Sequence, residues 1–571
     1  MKVSDYIVDF LIKKGITNAF GYPGGSVTNL MESFRIRDAE IKAHVVYHEQ
    51  AAAFAACAYA LTAGVPGVAY ATGGPGATNM ITAIGHAYYE SIPIICLTGN
   101  VNVNEMHGNM PVRQKGFQES DIVSTVKNLT KFCVCVTDAR DIRFCLEKAY
   151  ACSIEGRQGP VLIDLPMNIL REQIEPNELH GYETASVERV DESQRFMEIL
   201  KVLLNQSESP CMVWGNGIKS SFLREMVEKT VNNLKIPYVT SMIAFDVIPH
   251  NEFYNGFIGA YGMRAANLIV SKSDLVITIA SRLDIRQVGA KRENFAPNAR
   301  IIRIDIDEGE LSYKVHENEI SFCMNAREAL EILATLDIKK DFERWREVCH
   351  RIQDRLKAID DRLPNEYVHR ISDMVPEGAT IATDVGQNQV WVAQSFHVKR
   401  GQQVLFSGGM GAMGYALPAA IGAYYGSNAG ISICICGDGG LQMNIQEFQF
   451  IVRENIPVKI IVFNNYSLGM IRHFQEIYFD NIAYQTKKSG GYSTPDFARV
   501  AEAYGIESIV VESIEDIGKA SALINSETPA LIEIRITEDT YVFPKLEFGK
   551  PNYDQQPLLD RNLLKELMEM K

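Results

Sequence analysis

The sequence predicts an α/β fold made of three doubly wound parallel-sheet domains. Short apolar runs rich in β-branched residues end in small or polar residues, and helical patterns separate them along the whole chain. Clear examples are the runs 275–280, 301–305 and 531–536. This alternation favours repeated parallel α/β units, because a buried parallel strand reads as a short continuous apolar run and a helix usually connects it to the next strand.

Two polar, charge-rich stretches interrupt this alternation, at about 170–195 and about 338–365. We interpret them as links between domains of ordinary size. The predicted organisation is a first domain at 1–170, a central domain at 190–338, a third domain at 365–545 and a C-terminal tail at 546–571.

The overall composition is typical of a globular protein and disfavours several kinds of partner. The 571 residues are 46% hydrophobic and 22% charged, with a net charge of −14 and a pI near 5.4. This acidic balance argues against nucleic acid or an anionic membrane as a partner. The N-terminus lacks the apolar core of a signal peptide and no apolar run approaches about eighteen residues, so we expect a cytoplasmic protein without a membrane span. The eleven cysteines are expected to be reduced.

Two strand-like runs carry polar residues at their carboxyl ends. The run 431–436 ends in Gly437-Asp438-Gly439-Gly440, and the run 458–463 ends in Asn464-Asn465. Open α/β sheets bind ligands beyond the carboxyl ends of their strands. A carboxylate and a carboxamide at that position suit Mg²⁺, which completes its octahedron with phosphate and water, so the pattern predicts a metal-bridged diphosphate site. The alternative is an ordinary βα turn followed by a chance pair of asparagines.

A second candidate is Glu49, which follows an apolar strand-like run and precedes an alanine-rich helical stretch at 51–60. A carboxylate at this position is either a functional acid or a cap for the helix N-terminus, where acids are favoured. Farther on, the glycine loop 72–79 follows a strand and opens a helix, so its backbone amides could hold an anion or a polar ring. A generic tight βα turn explains that loop equally well.

Residues 409–414 match the G-x-G-x-x-G pattern of dinucleotide-binding proteins, which raises a nicotinamide-dependent dehydrogenase as an alternative function. The match is weakened because no acidic residue follows a second strand at the expected distance. A third alternative is a protein without catalytic activity, which only binds a cofactor or acts as a scaffold. The joint presence of Glu49, Asp438 and Asn465 argues against such a loss of catalysis.

Nine segments together resemble the acetohydroxyacid (acetolactate) synthase branch of the thiamin diphosphate-dependent enzymes, and the likeness extends over nearly the whole chain. They match in order and spacing as well as in residue type. The segments are Phe20-Gly-Tyr-Pro-Gly-Gly25, His48-Glu-Gln50, Gly74-Pro-Gly-Ala-Thr-Asn79, Phe117-Gln-Glu119, Gly159-Pro-Val-Leu-Ile-Asp-Leu-Pro166, Asp384-Val-Gly-Gln387, Ser407-Gly-Gly-Met-Gly-Ala-Met-Gly414, Gly437-Asp-Gly439 and Asn464-Asn465.

The resemblance implies that the first domain binds the pyrimidine ring of thiamin diphosphate and the third domain binds its diphosphate. The implied Mg²⁺ ligands are Asp438, Asn465 and the main-chain carbonyl of Ser467. Glu49 would hydrogen-bond the pyrimidine ring nitrogen and favour the imino tautomer. The carbonyl of Gly411 would accept a hydrogen bond from the pyrimidine amino group.

The resemblance also implies wider sets of site residues. The catalytic set is Glu49, Gln118, Met413 and Arg286, with Met413 supporting the bent cofactor. The remaining thiamin diphosphate contacts are Pro23, Gly24, Gly25, Thr72, Gly74, Pro75, Asn79, Gly386, Gln387, Asn388, Gly437, Gly439, Gly440, Leu468, Gly469 and Met470.

Four segments of the central domain are similar to those with which the synthases bind FAD. They are 215–217, 258–264, 281–286 and 304–307, and they place Gly215, Gly217, Arg282 and Asp305 at the flavin. The chain departs from the family pattern at Ala260-Tyr261, where Met-His is usual, and at Ile285, where Asp is usual. An acidic residue after a strand is also common in proteins that bind no nucleotide.

The acceptor side of the predicted site departs from the family more strongly. Arg286 matches the arginine that receives the carboxylate of the second keto acid, a suitable role for a bidentate guanidinium. Phe474 stands where the biosynthetic synthases have Trp, and Met167 stands where they have Lys. His107 and Arg113 lie in a loop whose usual sequence differs.

The resemblance implies a carboligase that decarboxylates pyruvate and transfers the two-carbon hydroxyethyl unit to a second carbonyl compound. With pyruvate as acceptor the product is 2-acetolactate; a keto-sugar or an aldehyde is the alternative acceptor. The family also implies a homodimer or larger homo-oligomer with active sites at the interface. Whether a regulatory subunit binds is left open.

Overall fold

The computed structural model describes residues 1–183, 191–220, 222–357, 359–427 and 430–571. The predicted start of the central domain at 190 and part of the polar stretch 170–195 lie outside the described residues. The described chain forms three six-stranded sheets in which every strand pair is parallel. This confirms the predicted α/β class with three parallel sheets.

The first sheet and its helices come from the N-terminal part of the chain. Its strands are β1 (Asn18–Gly21), β2 (Lys42–Val45), β3 (Gly67–Ala71), β4 (Ile94–Asn100), β5 (Phe132–Cys135) and β6 (Val161–Pro166). Its helices are α1 (Val3–Lys13), α2 (Thr28–Ile36), α3 (Glu49–Ala63), α4 (Pro75–Asn79), α5 (Ile81–Glu90), α6 (Ile122–Val126), α7 (Ile142–Ile154) and α8 (Met167–Arg171).

The central sheet follows. Its strands are β7 (Pro210–Trp214), β8 (Tyr238–Thr240), β9 (Tyr254–Phe257), β10 (Leu275–Ile279), β11 (Arg300–Asp305) and β12 (Glu319–Cys323). Its helices are α9 (Ser193–Gln206), α10 (Gly217–Ser220), α11 (Arg224–Leu234), α12 (Arg264–Lys272), α13 (Ile285–Val288), α14 (Glu308–Ser312), α15 (Ala326–Thr335) and α16 (Glu343–Leu356).

The third sheet lies in the C-terminal part. Its strands are β13 (Thr380–Thr383), β14 (Gln403–Phe406), β15 (Ser432–Gly437), β16 (Val458–Asn464), β17 (Glu507–Val511) and β18 (Ala530–Arg535). The helices are α17 (Leu363–Met374), α18 (Gln387–Ser395), α19 (Ala416–Gly426), α20 (Asp438–Gln442), α21 (Phe448–Glu454), α22 (Gly469–Tyr478), α23 (Phe497–Tyr504), α24 (Ala520–Ile524) and α25 (Arg561–Glu569).

The first and third sheets have the same strand order. It is β2-β1-β3-β4-β6-β5 in the first sheet and β14-β13-β15-β16-β18-β17 in the third, while the central order is β12-β11-β10-β7-β8-β9. The order therefore reverses between β1 and β3, between β13 and β15, and between β7 and β10. Ligands of open α/β sheets bind at such reversal points, beyond the carboxyl ends of the strands.

The first and third domains share one hydrophobic core. The alanine-rich helix α3 is almost entirely buried, and it packs with the equally small side chains of α19 in a single cluster. Small side chains let two helices approach closely, so the backbone at the start of α3 is held near the third domain. The central sheet has its own core, which also includes residues of α25.

The C-terminal tail folds back onto the central domain. The buried guanidinium of Arg264 donates to the carbonyls of Gln555 (2.9 Å) and Pro557 (2.6 Å). Lys272 Nζ donates to the carbonyls of Met568 (2.6 Å) and Met570 (3.0 Å) at the end of α25, where a cation is favoured. Across the described ranges, every helix is too short or too polar to cross a lipid bilayer.

Candidate functional site

The three predicted metal-binding residues lie together at the carboxyl ends of β15 and β16. Asp438 opens α20 directly after β15, and Asn465 follows β16. Asp438 Oδ2 and Asn465 Oδ1 each accept a hydrogen bond from the amide of Ser467, at 3.2 Å in both cases. The adjacent parallel strands align these positions, since Gly437 pairs with Phe463. Two side-chain oxygens therefore converge at one buried point.

The Asp438 carboxylate is 2% exposed, and this loss of hydration raises its pKa to about 6. The Gly439 amide (2.6 Å) and the Tyr492 hydroxyl (3.2 Å) donate to it and partly oppose that rise. A nearby divalent cation favours the ionised form of such a group. The oxygen donors and the burial of this position fit Mg²⁺.

Asn465 is oriented by a network that the sequence did not reveal. Its Nδ2 donates to Gln387 Oε1 and to Thr540 Oγ1, both at 2.9 Å. Gln387 in turn donates to the carbonyl of Thr540 at 2.7 Å. These bonds occupy the amide nitrogen and leave Asn465 Oδ1 directed towards Ser467. Thr540 therefore fixes two predicted site residues at once.

The glycines after β15 give close access to the backbone. A Cβ on Gly439 would lie 2.7 Å from Leu468 Cδ2 and 3.1 Å from Met413 Cε. Leu468, Met413 and Gly439 are therefore neighbours, as predicted for residues of one pocket. Gly386, Gln387 and Asn388 follow the adjacent strand β13, while Gly469 and Met470 open α22. The predicted diphosphate contacts thus surround the β13–β15 reversal point.

The loop 407–414, which carries Gly411 and Met413, is fixed through its own amides. Asp384 accepts from the amide of Gly414 at 3.0 Å, and Ser407 Oγ accepts from the amide of Ala412 at 2.9 Å. Glu90 of the first domain accepts from the amide of Gly409. Three amides of the loop are thus already bonded within the protein and are not free to hold a pyrophosphate, which weighs against a dinucleotide site at the G-x-G-x-x-G match. Burial raises the pKa of Asp384 to about 7.

Glu49 is the first residue of α3 and is 8% exposed. The helix cap is supplied by His48, whose Nδ1 accepts from the amide of Gln50 at 3.1 Å. The Glu49 carboxylate instead accepts from Asn79 Nδ2 at 2.9 Å. The sequence allowed Glu49 to act as the helix cap, but in the structure His48 has that role.

The predicted loops of the first domain gather around Thr72. The hydroxyls of Ser26 and Thr72 share a hydrogen bond of 2.8 Å, and a Cβ on Gly24 would lie 2.3 Å from Thr72 Cβ. The amide of Gly74 donates to Ser120 Oγ at 3.2 Å. This brings the predicted residues Pro23, Gly24, Gly25, Thr72, Gly74 and Pro75 to the β1–β3 reversal point.

Gln118 lies beside Gly74 in a left-handed conformation, with φ of +65°. The neighbouring buried Glu119 accepts from the amides of His107 (2.6 Å), Lys115 (2.8 Å) and Gly116 (3.2 Å), and from the His107 ring. Loss of hydration alone would raise the pKa of Glu119, but these donors outweigh it and hold the pKa at about 2. Glu119 thus folds the loop 107–116 against Gln118.

A second buried carboxylate lies behind Gln118. Asp164 on β6 accepts from Thr98 Oγ1 and Asn100 Nδ2, both at 2.7 Å. Asn100 also donates to the carbonyl of Ser120, two residues after Gln118. Loss of hydration raises the pKa of Asp164 to about 6, although these hydrogen bonds lower it in part.

A cavity of about 430 Å³ opens at the β7–β10 reversal point of the central sheet. Residues of all three domains line it, including the predicted Gly217, Arg282, Arg286 and Asp305. Gly215 is not part of the wall; it lies directly against the backbone of Ala280. The volume is within the range of about 300–1,000 Å³ usual for ligand pockets.

The cavity wall offers charged groups of both signs. Burial raises the pKa of Asp305, whose carboxylate accepts from the amide of Asp307 at 3.0 Å. Arg282 and Arg327 also line the cavity, and sequence reasoning missed Arg327. Arg157 of the first domain donates to Asp307 at 3.0 Å and closes one edge. An acid for hydroxyl groups and arginines for phosphates fit a nucleotide such as FAD.

The residues that depart from the family pattern lie on separate elements. Phe474 lies half exposed on α22, where its ring centre is 4.6 Å from that of Tyr478. Met167 opens α8 in the first domain, and Arg113 is exposed in the loop held by Glu119. Arg286 lies on the rim of the central cavity.

The first and third sheets have the same strand order. The first presents the buried Glu49, and the third presents Asp438 and Asn465 together. These features define an enzyme that uses thiamin diphosphate, also called thiamine pyrophosphate. Three family models agree: the thiamine pyrophosphate enzyme N-terminal TPP binding domain matches residues 1–125, the central domain 198–333 and the C-terminal TPP binding domain 384–534.

Relatives that match nearly the whole chain identify the family within the thiamin diphosphate-dependent enzymes. The acetolactate synthase large subunit of Cyanidium caldarium is 33% identical, with 96% of this chain and 95% of the relative covered. That of Lactococcus lactis subsp. lactis is 32% identical over 96% and 94%. The chloroplastic acetolactate synthase 2 of Nicotiana tabacum is 33% identical over 96% and 84%. The chain belongs to the acetolactate synthase family of thiamin diphosphate-dependent enzymes, which form carbon–carbon bonds.

Proposed function

We propose that this chain decarboxylates pyruvate with thiamin diphosphate and Mg²⁺ and joins the two-carbon unit to a second keto acid. With pyruvate as the acceptor, the product is 2-acetolactate. The observation that carries the proposal is the convergence of Asp438 and Asn465 on the Ser467 amide, 3.2 Å from each, in a chain that matches an acetolactate synthase large subunit over 96% of its length.

The metal ligands in this proposal are the side-chain oxygens of Asp438 and Asn465 and the main-chain carbonyl of Ser467. Backbone near Gly386, Gly437, Gly439 and Gly440 would contact the diphosphate. The early turns of α18 and α22, at Gln387, Asn388, Leu468, Gly469 and Met470, add polar and apolar contacts. Helix N-termini favour anions, which supports the placement of a diphosphate beside α18, α20 and α22.

Thiamin diphosphate, when bound, supplies the ring that stabilises a carbanion. Glu49 would share a proton with the pyrimidine ring nitrogen, while Asn79 keeps its carboxylate in place at 2.9 Å. The Gly411 carbonyl would accept from the pyrimidine amino group, and Met413 would support the bent cofactor. Gln118 would lie on the substrate side of the pocket.

We propose that each active site forms between two copies of the chain. Support comes from the exposure of the first-domain contacts Pro23, Gly25, Pro75 and Asn79 in the single chain. Near Asp438, the apolar side chains of Met443 and Ile471 are also exposed, by 53% and 55%. Exposed apolar surface of this kind marks an interaction site. A homodimer that brings these two surfaces together would complete both pockets.

FAD is the ligand that we propose for the central cavity. Asp305 would accept from ribose hydroxyls, Arg282 would contact phosphate, and Gly217, which lines the cavity at the start of α10, would lie beside the nucleotide. The proposed net reaction needs no oxidation, so the flavin would act by binding. Visible absorption of the purified protein tests its presence.

Arg286 is the proposed contact for the acceptor carboxylate, because a guanidinium pairs with a carboxylate through two parallel hydrogen bonds. The test is turnover of pyruvate with thiamin diphosphate and Mg²⁺, with products identified by mass spectrometry across a panel of carbonyl acceptors. 2-Acetolactate from pyruvate alone is the expected result. Product formation only with a keto-sugar or an aldehyde would contradict the proposed acceptor.

A further inference from the structure

A turn of the third domain holds the backbone that carries Glu49. The side chain of Glu447 is fully buried, and its two carboxylate oxygens lie 3.0 and 3.2 Å from the amide nitrogen of Tyr47. Loss of hydration raises the pKa of Glu447 to about 8, although hydrogen bonds from the amides of Tyr47 and His48 lower it in part. Glu447 therefore anchors the two residues that immediately precede Glu49.

Asn444, in the same turn, holds the residue that follows Glu49. Its Nδ2 donates to Gln50 Oε1 at 3.2 Å and to the carbonyl of Gly414 at 2.8 Å. Gly414 is adjacent to Met413 in the loop 407–414. We call residues 444–447 the anchoring turn. It bonds to residues before and after Glu49 in the sequence, and to Gly414 at the end of the loop that carries Met413.

Burying the carboxyl group of Glu447 in the anchoring turn costs free energy, because the group loses its hydration. A carboxyl group without water must be satisfied by hydrogen bonds, and here the donor is the main-chain amide of Tyr47. The next helix adds a further bond to the same segment, since Arg453 donates to the carbonyl of Val45 at 2.6 Å. The backbone at 45–50 is thus held at several points, and Asn79 holds the Glu49 carboxylate from the opposite side.

We propose that Glu447 and Asn444 are positioning residues for Glu49. This inference rests on the proposed function, in which Glu49 acts on the pyrimidine ring. An acid must lie within hydrogen-bond reach of its proton, and a displacement of about 1 Å can cost roughly 100-fold in rate. The two residues act by fixing where the carboxylate points, without touching the cofactor.

The test measures exchange of the thiazolium carbon-bound proton of bound thiamin diphosphate with deuterium, by acid quench and NMR, in the full chain with Mg²⁺. Asn444→Ala and Glu447→Ala are expected to slow this exchange roughly 10- to 100-fold. Glu447→Gln keeps an oxygen acceptor for Tyr47 and should recover most of the rate. Glu512→Gln, on a side chain 73% exposed in the same domain, is the control and should exchange like the wild type.

Cofactor affinity by calorimetry and the melting temperature accompany each exchange rate. A selective loss of exchange in Asn444→Ala, with affinity and melting temperature kept, supports positioning. The inference is overturned if Asn444→Ala exchanges at the wild-type rate. It is also overturned if the slower exchange is explained by weaker cofactor binding or lower stability. Both outcomes can be read from Asn444→Ala even if Glu447→Ala fails to fold. If Glu49→Gln itself exchanges like the wild type, the proposed function is wrong instead, so the two failures are distinguishable.

Discussion

Asn79 donates a 2.9 Å hydrogen bond to the carboxylate of Glu49 across the β1–β3 end of the first sheet. The bond joins the first residue of α3 to the last residue of α4. It orients a buried acid whose helix is already capped by His48, so the acid is available for another role.

Glu49→Gln should lower kcat by about 10²–10⁴-fold, the usual contribution of general acid–base help. The amide is nearly the same size, so folding and melting temperature should be retained. Steady-state kinetics on pyruvate and circular dichroism check both points. Glu32→Gln, an exposed glutamate paired with Arg35, is the matched control. Near-full activity of Glu49→Gln would remove Glu49 from the mechanism.

Thr540→Val should weaken Mg²⁺-dependent binding of thiamin diphosphate roughly 10- to 100-fold, as is typical when a group that orients a metal ligand is lost. The hydroxyl accepts from Asn465 at 2.9 Å, so its removal frees the amide to rotate. Titration calorimetry at fixed Mg²⁺ measures the effect. Thr335→Val, an exposed threonine of α15, should bind normally. Equal affinities for the two variants would show that Thr540 does not orient the site.

Asp164→Asn should flatten the pH dependence of stability between about pH 4 and 6. Burial raises the pKa of Asp164 from 3.8 to about 6, so in this window the folded protein retains a proton that the unfolded chain has released. The free energy of unfolding therefore falls as pH rises through the window, and the amide removes that contribution. Melting temperatures at pH 4 and 7 for both proteins provide the measurement; parallel curves would contradict the prediction.

Asp305→Ala should lower FAD affinity about tenfold or more, the cost of losing a hydrogen bond to a charged group. The side chain is far from the Asp438 site in sequence and on another sheet, so binding of thiamin diphosphate should persist. Absorption spectroscopy of the purified variant, and FAD titration by fluorescence quenching, report the loss. Asp337→Ala, exposed on the same domain, should keep its flavin.

Sequence reasoning located Asp438 and Asn465 together because adjacent parallel strands must bring their carboxyl ends to one edge. It missed Thr540, which reaches Asn465 from 75 residues farther along the chain. The same applies to Glu447, whose bond to Tyr47 spans 400 residues. No local pattern encodes a contact that depends on how whole domains pack.

The match to the dinucleotide-binding pattern at 409–414 is weak in the sequence, and the structure weighs against it further. The glycines have the expected spacing, but the amides of Gly414, Ala412 and Gly409 are bonded to Asp384, Ser407 and Glu90. Whether a glycine loop binds a ligand depends on which of its donors remain unused. That property belongs to the folded chain, since Glu90 comes from a different domain.

The walls of the central cavity come from all three domains, with Glu90 and Arg157 from the first, Arg282 from the second and Gly409 from the third. A molecule that fills it would contact all three domains at once and would fix the central domain against the first and third, which already share a hydrophobic core. Emptying the cavity should therefore loosen the central domain against the other two while each sheet stays intact.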